Sequence, residues 1–255
     1  MAILTTEGVV LKVHALGDTS RIVVVYTRDL GMRKFVAKGA RKSPSRFGFS
    51  LEPLSRSTFV FYQKVDRDLH LLSKAEVIDP LGSRLADLTR LAHAQAALEL
   101  VDVLVWGEEP HAGLYDLLVR TLAGCAAAPV AALPAVTLAF QLQLASELGY
   151  RPRLDRCAVD GRPVSQRRAF SPQRGGLLCD GCAVREGGYV SLSPEALASF
   201  ALLLSRPVAE AGDFIELPRC TELLRVVEDF FRLHFQRFRG LRSLEVLRSL
   251  ERGPA

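Results

Sequence analysis

Cys179 and Cys182 stand three residues apart, and Cys157 stands three residues before Asp160. Two thiolates separated by two residues can grip one metal ion from a single tight turn, and a carboxylate oxygen is also a zinc ligand. The pattern Cys157-x-x-Asp160…Cys179-x-x-Cys182 therefore reads as two hooks closing on one structural zinc. Gly175 and Gly176 turn the chain just ahead of the second hook. The plainer reading is a hairpin that carries no metal and is held by packing. Leu144–Cys182 contains no histidine, and a second hook fills the position that a catalytic zinc keeps open for water. Both points favour a structural ion over a hydrolytic one, and neither suggests a catalytic cysteine.

A second group of residues suggests recognition rather than catalysis. Arg28, Arg33, Lys34, Lys38, Arg41, Lys42 and Arg46 face a single acid, Asp29, and Phe47 and Phe49 follow at once. Clustered cations suit phosphates, and aromatic faces suit unstacked bases. A loop this one-sided repels itself without a counter-charge, which points to nucleic acid. Small barrels fill their ends with side chains, so Phe47 and Phe49 are expected to plug one. Tyr62 lies on the strand face opposite Phe59 and Phe61, where its ring could stack on a base. Two further basic stretches read equally well as phosphate contacts or as solvated side chains. They are Arg151, Arg153, Arg156, Arg162, Arg167, Arg168 and Arg174, and then Arg232, Arg237, Arg239 and Arg242.

The 255 residues, 49% of them hydrophobic, suffice for one large domain or two smaller ones. Residues 1–80 carry 13 Lys and Arg against 8 Asp and Glu, whereas the rest of the chain is balanced at 20 of each. All six lysines lie at or before Lys74. This asymmetry sets a boundary near residue 80, giving a basic domain 1–80 and a domain 81–255 with the metal module at about 151–190. Five cysteines, three of them in hooks, suit a reducing cytosol better than a disulfide scaffold. No signal peptide is expected. The uncharged run Thr121–Ser146 is broken by Pro129 and Pro134, so it reads as a loop between helices of a soluble protein rather than a membrane span. No G-x-x-x-x-G-K-[ST], G-x-G-x-x-G or G-x-S-x-G motif occurs.

Strands are expected at Thr5–Leu16, Ser20–Thr27, Met32–Lys38, Ser57–Lys64 and Leu69–Ile78, with turns at Asp29–Gly31 and Asp66–Asp68. Five short strands with the long connection between the third and fourth suit a small closed barrel, of either the oligonucleotide-binding or the SH3-like kind. Apolar residues at helical spacing then predict helices over Ser83–Trp106 (capped by Ser83), Ala112–Ala127, Val136–Leu148, Pro194–Leu204, Leu217–Phe235 and Leu241–Leu250. The fold class is α+β.

Taken together, the two halves resemble the RecO family of bacterial recombination mediators. The resemblance is carried by Thr6–Leu11, Gly17-Asp18, Arg21–Val23, Thr27, Gly31, Ala37–Arg41 and Ser45 in the first half. In the second it rests on Phe140, Leu142, Leu144, Leu148–Tyr150, Pro152, Leu154, Cys157, Phe170, Gly175-Gly176 and Cys179-x-x-Cys182. Where this chain has Asp160, that family often has cysteine. The resemblance implies a five-stranded oligonucleotide-binding (OB-fold) barrel followed by an α-helical domain bearing the zinc-finger-like module. It implies a non-enzymatic protein of the bacterial cytoplasm, associated with the nucleoid. Such a protein binds single- and double-stranded DNA, anneals complementary strands and works with RecR. It also contacts the acidic tail of single-strand DNA-binding protein and helps load RecA onto coated strands. Phe140, Leu144 and Leu148 are expected to offer an apolar groove to that tail. Arg33, Lys34, Lys38, Arg41, Lys42 and Arg46 are expected to contact phosphate. The alternatives are an RNA-binding barrel protein and a zinc-dependent nucleic-acid enzyme.

Overall fold

The computed structural model describes every residue except 1, 43, 64–66, 165 and 253–255, and leaves out the side chain of Leu217. Lys64 and Asp66, expected in the fourth strand and the turn after it, lie outside the described residues. The chain forms two compact units. One runs through Ala126 and takes in the segment from Ser243, and the other is Ala127–Arg242. Contact therefore divides the chain after Ala126, whereas the charge asymmetry falls near residue 80.

The first unit is built on five strands, β1 (Ala2–Leu16), β2 (Ser20–Thr27), β3 (Gly31–Ala37), β4 (Arg56–Gln63) and β5 (Leu69–Asp79). They close in the order β1-β2-β3-β5-β4. All pairs are antiparallel except β3 with β5. That parallel pair and the return of β4 to β1 are the OB-fold arrangement, which strand spacing alone leaves open. Closure rests on β1, which pairs with β4 along Ala2–Val9 and with β2 along Gly8–Leu16, with a register shift between Val10 and Lys12. Such a bulge bends a strand enough to serve two neighbours. Inside the barrel, Val10, Val23, Val25, Phe35, Phe59, Phe61 and Leu72 are buried. The Phe35 ring stacks on Phe59 at 5.5 Å and tilts against Phe61 at 4.8 Å.

Helices α1 (Leu88–Leu104) and α2 (Ala112–Ala127) belong to the same unit. The cap of α1 is Asp87, whose side chain accepts from the Arg90 amide. Ser83 lies instead in a short 3-10 turn, Leu81–Arg84. Glu7 ties β1 to this layer by accepting from Arg56 and from the Tyr115 hydroxyl, and Lys12 pairs with Asp102 at 2.6 Å. All but the first residue of the last helix, Arg242–Arg252, lies in the segment from Ser243, and its Leu244 and Leu247 are buried. The Ser243 amide donates to Glu99.

Buried in α1, His93 has its pKa lowered from 6.5 to about 4, first by burial and then by the positive charge of Arg248. As pH falls from 6.5 to 4, the unfolded chain takes up a proton that the folded unit refuses. Stability is therefore lost on acidification through that window, by about 3 kcal/mol at most. His93→Gln is expected to remove that part of the pH dependence, as read from thermal unfolding of both proteins between pH 7 and pH 4.

In the second unit α3 (Leu133–Glu147) is central, buried all round by α5 (Pro194–Ser205), α6 (Leu217–His234) and the turn Val208–Asp213. Pro134 does not break α3 but sits in its first turn, where the missing N–H costs nothing. Val130–Glu147 is long and apolar enough to cross a membrane, but most of it is buried as the core of this unit. The Gln143 amide donates to the carbonyls of Leu203 and Arg206, fixing α3 to the end of α5. Phe140 and Leu144 are completely buried. They are core residues and cannot line an open groove for a partner's tail, because their neighbours already occupy every face. Strands β6 (Ala169–Ser171), β7 (Gly176–Leu178) and β8 (Val190–Ser191) and the short helix α4 (Asp180–Glu186) form the segment expected to be the metal module.

Candidate nucleic-acid interface and metal centre

The connection from β3 to β4 is anchored at both ends of its basic stretch. Ala40, Phe47 and Leu51 are buried in the barrel core. The Arg41 amide donates to the Thr19 carbonyl, and the Ser50 hydroxyl donates to the Phe47 carbonyl. With those side chains committed inward, Lys38, Arg41, Lys42 and Arg46 are exposed, as is Lys34 on β3. Arg41 donates to the Gly17 carbonyl, and the Arg46 guanidinium lies 4.6 Å over the Phe47 ring. Among the described residues none of these five side chains is ion-paired. Lys38, Lys42 and Arg46 line one open groove of about 470 Å³ together with Tyr62 and Leu71.

Two expectations change here. Arg33 is turned inward, its side chain only 6% exposed and paired with Glu108 at 2.6 Å. Strand alternation puts it on the face of Phe35, so it is withdrawn from the phosphate surface. Arg33→Met is expected to leave the salt dependence of DNA binding unchanged, which titration at several ionic strengths checks. Phe47 plugs the barrel as expected, but Phe49 is 79% exposed and plugs nothing. The chain there is a series of turns with no period to aim the side chain inward.

The arginines of the metal module are occupied differently. Arg156 pairs with Asp155, Arg162 with Asp160, Arg167 with Asp180 and Arg174 with Glu186. Arg168 donates to the Leu192 carbonyl and Arg151 to the Leu204 carbonyl. In the later stretch Arg232 pairs with Glu228, and Arg239 donates to the carbonyls of Gln236 and Phe238.

Cys157, Asp160, Cys179 and Cys182 do converge, each offering one ligand atom, all within 4.8 Å of one another. The first hook is a turn closed by the Gly161 amide donating to the Cys157 carbonyl. The second opens α4, with Cys179 as the residue before it and Cys182 in its first turn. The β6–β7 hairpin presents this second hook. Gly175 holds a φ of +63°, and a Cβ at Gly176 would stand 2.6 Å from the Arg153 carbonyl oxygen, so a side chain at Gly176 would break the pairing of Arg153 with the hairpin.

The spacing suits a tetrahedral ion. Bond lengths of about 2.3 Å to sulfur and about 2.1 Å to oxygen place neighbouring ligand atoms roughly 3.5–3.8 Å apart. Asp160 lies 3.5 Å from the Cys179 sulfur and 3.3 Å from that of Cys182. These residues could hold one metal ion. Asp160 is held far below the ordinary carboxylate range, first by the Cys157 thiol and then by the Arg162 amide. Burial pushes the Cys182 thiol up to about 11. Burial also acts to raise Cys157, but backbone N–H donors of Asp160, Cys179 and Val159 outweigh it and lower the thiol. Arg185 escapes notice in the sequence, yet its guanidinium donates to the Cys182 sulfur at 3.0 Å. The only advance signal is its place three residues after Cys182 on one helix.

Two family models match the chain. That for the N-terminal domain of recombination protein O covers residues 1–81, and that for its C-terminal domain covers residues 85–245. A DNA repair protein RecO of Anaeromyxobacter dehalogenans is 34% identical over 232 residues, spanning 90% of this chain and 91% of the relative. One from Streptomyces griseus is 36% identical over 253 residues, spanning 96% and 98%. One from Streptomyces coelicolor is 35% identical over the same length and shares. Both halves of the structure thus have matches in one family, in the same order and over nearly the whole length, and the chain belongs to the RecO family of DNA repair and recombination proteins.

Proposed function

We propose that this protein is a non-enzymatic recombination mediator that binds single- and double-stranded DNA and anneals complementary strands. With RecR, it helps load RecA onto strands coated with single-strand DNA-binding protein. The observation that carries DNA binding is the set of exposed cations, Lys34 on β3 and Lys38, Arg41, Lys42 and Arg46 on a loop pinned by its buried neighbours, none of them ion-paired among the described residues. Phosphates supply the counter-charge that such a loop lacks. The paired arginines of the metal module make a weaker case, since each would have to leave its partner first.

The metal we assign is one structural zinc on Cys157, Asp160, Cys179 and Cys182, supported by the donor set and its dimensions. Zinc there would staple the β6–β7 hairpin and α4. Four protein ligands leave no position for an activated water, which supports a non-enzymatic reading. The protein is assigned to the bacterial cytoplasm, with the nucleoid. Single-strand DNA-binding protein is kept as a partner through its acidic tail, without the Phe140–Leu144 groove.

The test is the rate at which the full chain anneals complementary strands coated with single-strand DNA-binding protein, run beside titrations of DNA and RNA oligomers of one sequence. Accelerated annealing with DNA preferred supports the proposal. No acceleration, or a preference for RNA, overturns it.

A further inference from the structure

Tyr62 sits near the end of β4, opposite Ile3 of β1 and Leu71 of β5. Side chains alternate along a strand. Phe59 and Phe61 are buried in the barrel, and Tyr62 is half-buried on the outer side. There it shares a groove with Lys38, Lys42 and Arg46. An aromatic ring and three cations in one open groove match the two parts of a nucleotide, a flat apolar base and a charged phosphate. Base–aromatic stacking tolerates any sequence because every base has a π-face.

We infer that Tyr62 is the stacking platform for one unpaired base, so that the groove takes a single strand by its bases while duplex touches only the cationic rim. This rests on the DNA-binding reading above. Bases in a duplex already cover one another's faces and have none to offer. As two strands pair, each base that joins the duplex gives up its contact with Tyr62, and the annealed product is held more weakly than either strand. The ring thus favours turnover, binding the reactant strands and letting go of the paired one.

The experiment measures binding of the full-length chain to a single-stranded oligomer, to the same oligomer carrying abasic sites, and to its duplex, at several salt concentrations. Tyr62→Leu is expected to weaken single-strand binding roughly tenfold, leave duplex binding unchanged and leave the salt slope unchanged. Tyr62→Phe, which keeps the ring, should bind as the parent does. Abasic sites should weaken the parent but not Tyr62→Leu. Equal losses on single strand and duplex would overturn the inference, as would a Phe variant as weak as the Leu variant, or no loss at all. The triple variant Lys38→Ala, Arg41→Ala, Lys42→Ala separates the two readings. If it loses affinity while Tyr62→Leu does not, only the stacking role fails. If it loses none, the DNA-binding surface itself is misassigned. Matching thermal unfolding of each variant and the parent establishes that the fold is kept.

Discussion

Purified without chelator, the protein is expected to carry one zinc per chain, and removing that zinc is expected to unfold the module around it. Structural zinc in small finger peptides contributes roughly 10–16 kcal/mol apparent at neutral pH. Here the buried cluster around the hooks is small, namely Cys157, Ala169, Leu178, Cys179, Cys182 and Ala183, with Tyr189 packed half-buried against it. A core of that size is a poor substitute for the ion. Cys182→Ala should therefore abolish zinc binding and raise hydrogen exchange across β6, β7 and α4. The barrel lies in the other compact unit and should stay protected. Asp160→Cys should tighten the site, since three sulfurs and one oxygen would become four sulfurs. Zinc binding expels protons from the thiols, so affinity should fall as pH falls. Elemental analysis that finds no zinc in unchelated protein rules the assignment out.

The second large effect is expected at the basic loop. Each phosphate neutralised on a single strand contributes about −0.7 to the slope of log affinity against log salt. Replacing Lys38, Arg41 and Lys42 together by alanine should flatten that slope by roughly two if all three touch phosphate. Annealing should slow in parallel, because two polyanions would meet without a cationic surface between them. All three side chains are exposed and none is ion-paired among the described residues, so the fold and the zinc content should be unaffected. An unchanged slope would instead send the DNA over the arginines of the metal module or of residues 232–242.

The barrel is legible because Phe59 and Phe61 mark a buried face at a period of two, and because the unbroken run Ile22–Tyr26 marks a strand buried on both faces. The same alternation groups Arg33 with Phe35, but a run of seven cations hides it, and charge alone assigns Arg33 to the surface. Strand β1 begins at Ala2, ahead of the expected Thr5: the exposed Ala2 and Ile3 carry no alternation to mark it. Helix α3 begins at Leu133 and not at Val136: it is apolar on every side and shows no stripe to mark its first turn. The convergence of Cys157, Asp160, Cys179 and Cys182 can be read from spacing, since a hook needs only three consecutive peptide steps. The hairpin and short helix that bring the hooks together have too few residues to show a period. The exposure of Phe49 follows from turn geometry, which side-chain type does not encode.

The discontinuity of the first unit bears on the order in which the protein matures. Residues 127–242 leave the ribosome as one uninterrupted block, and that unit has all its parts before Ser243 appears. The unit that begins first is the one finished last. Its barrel strands are made early, but Leu244 and Leu247 are added only after the whole of the other unit. Until then that unit lacks two of its buried leucines. Emergence of Leu244 and Leu247, rather than of the fifth strand, is then the event that completes this unit.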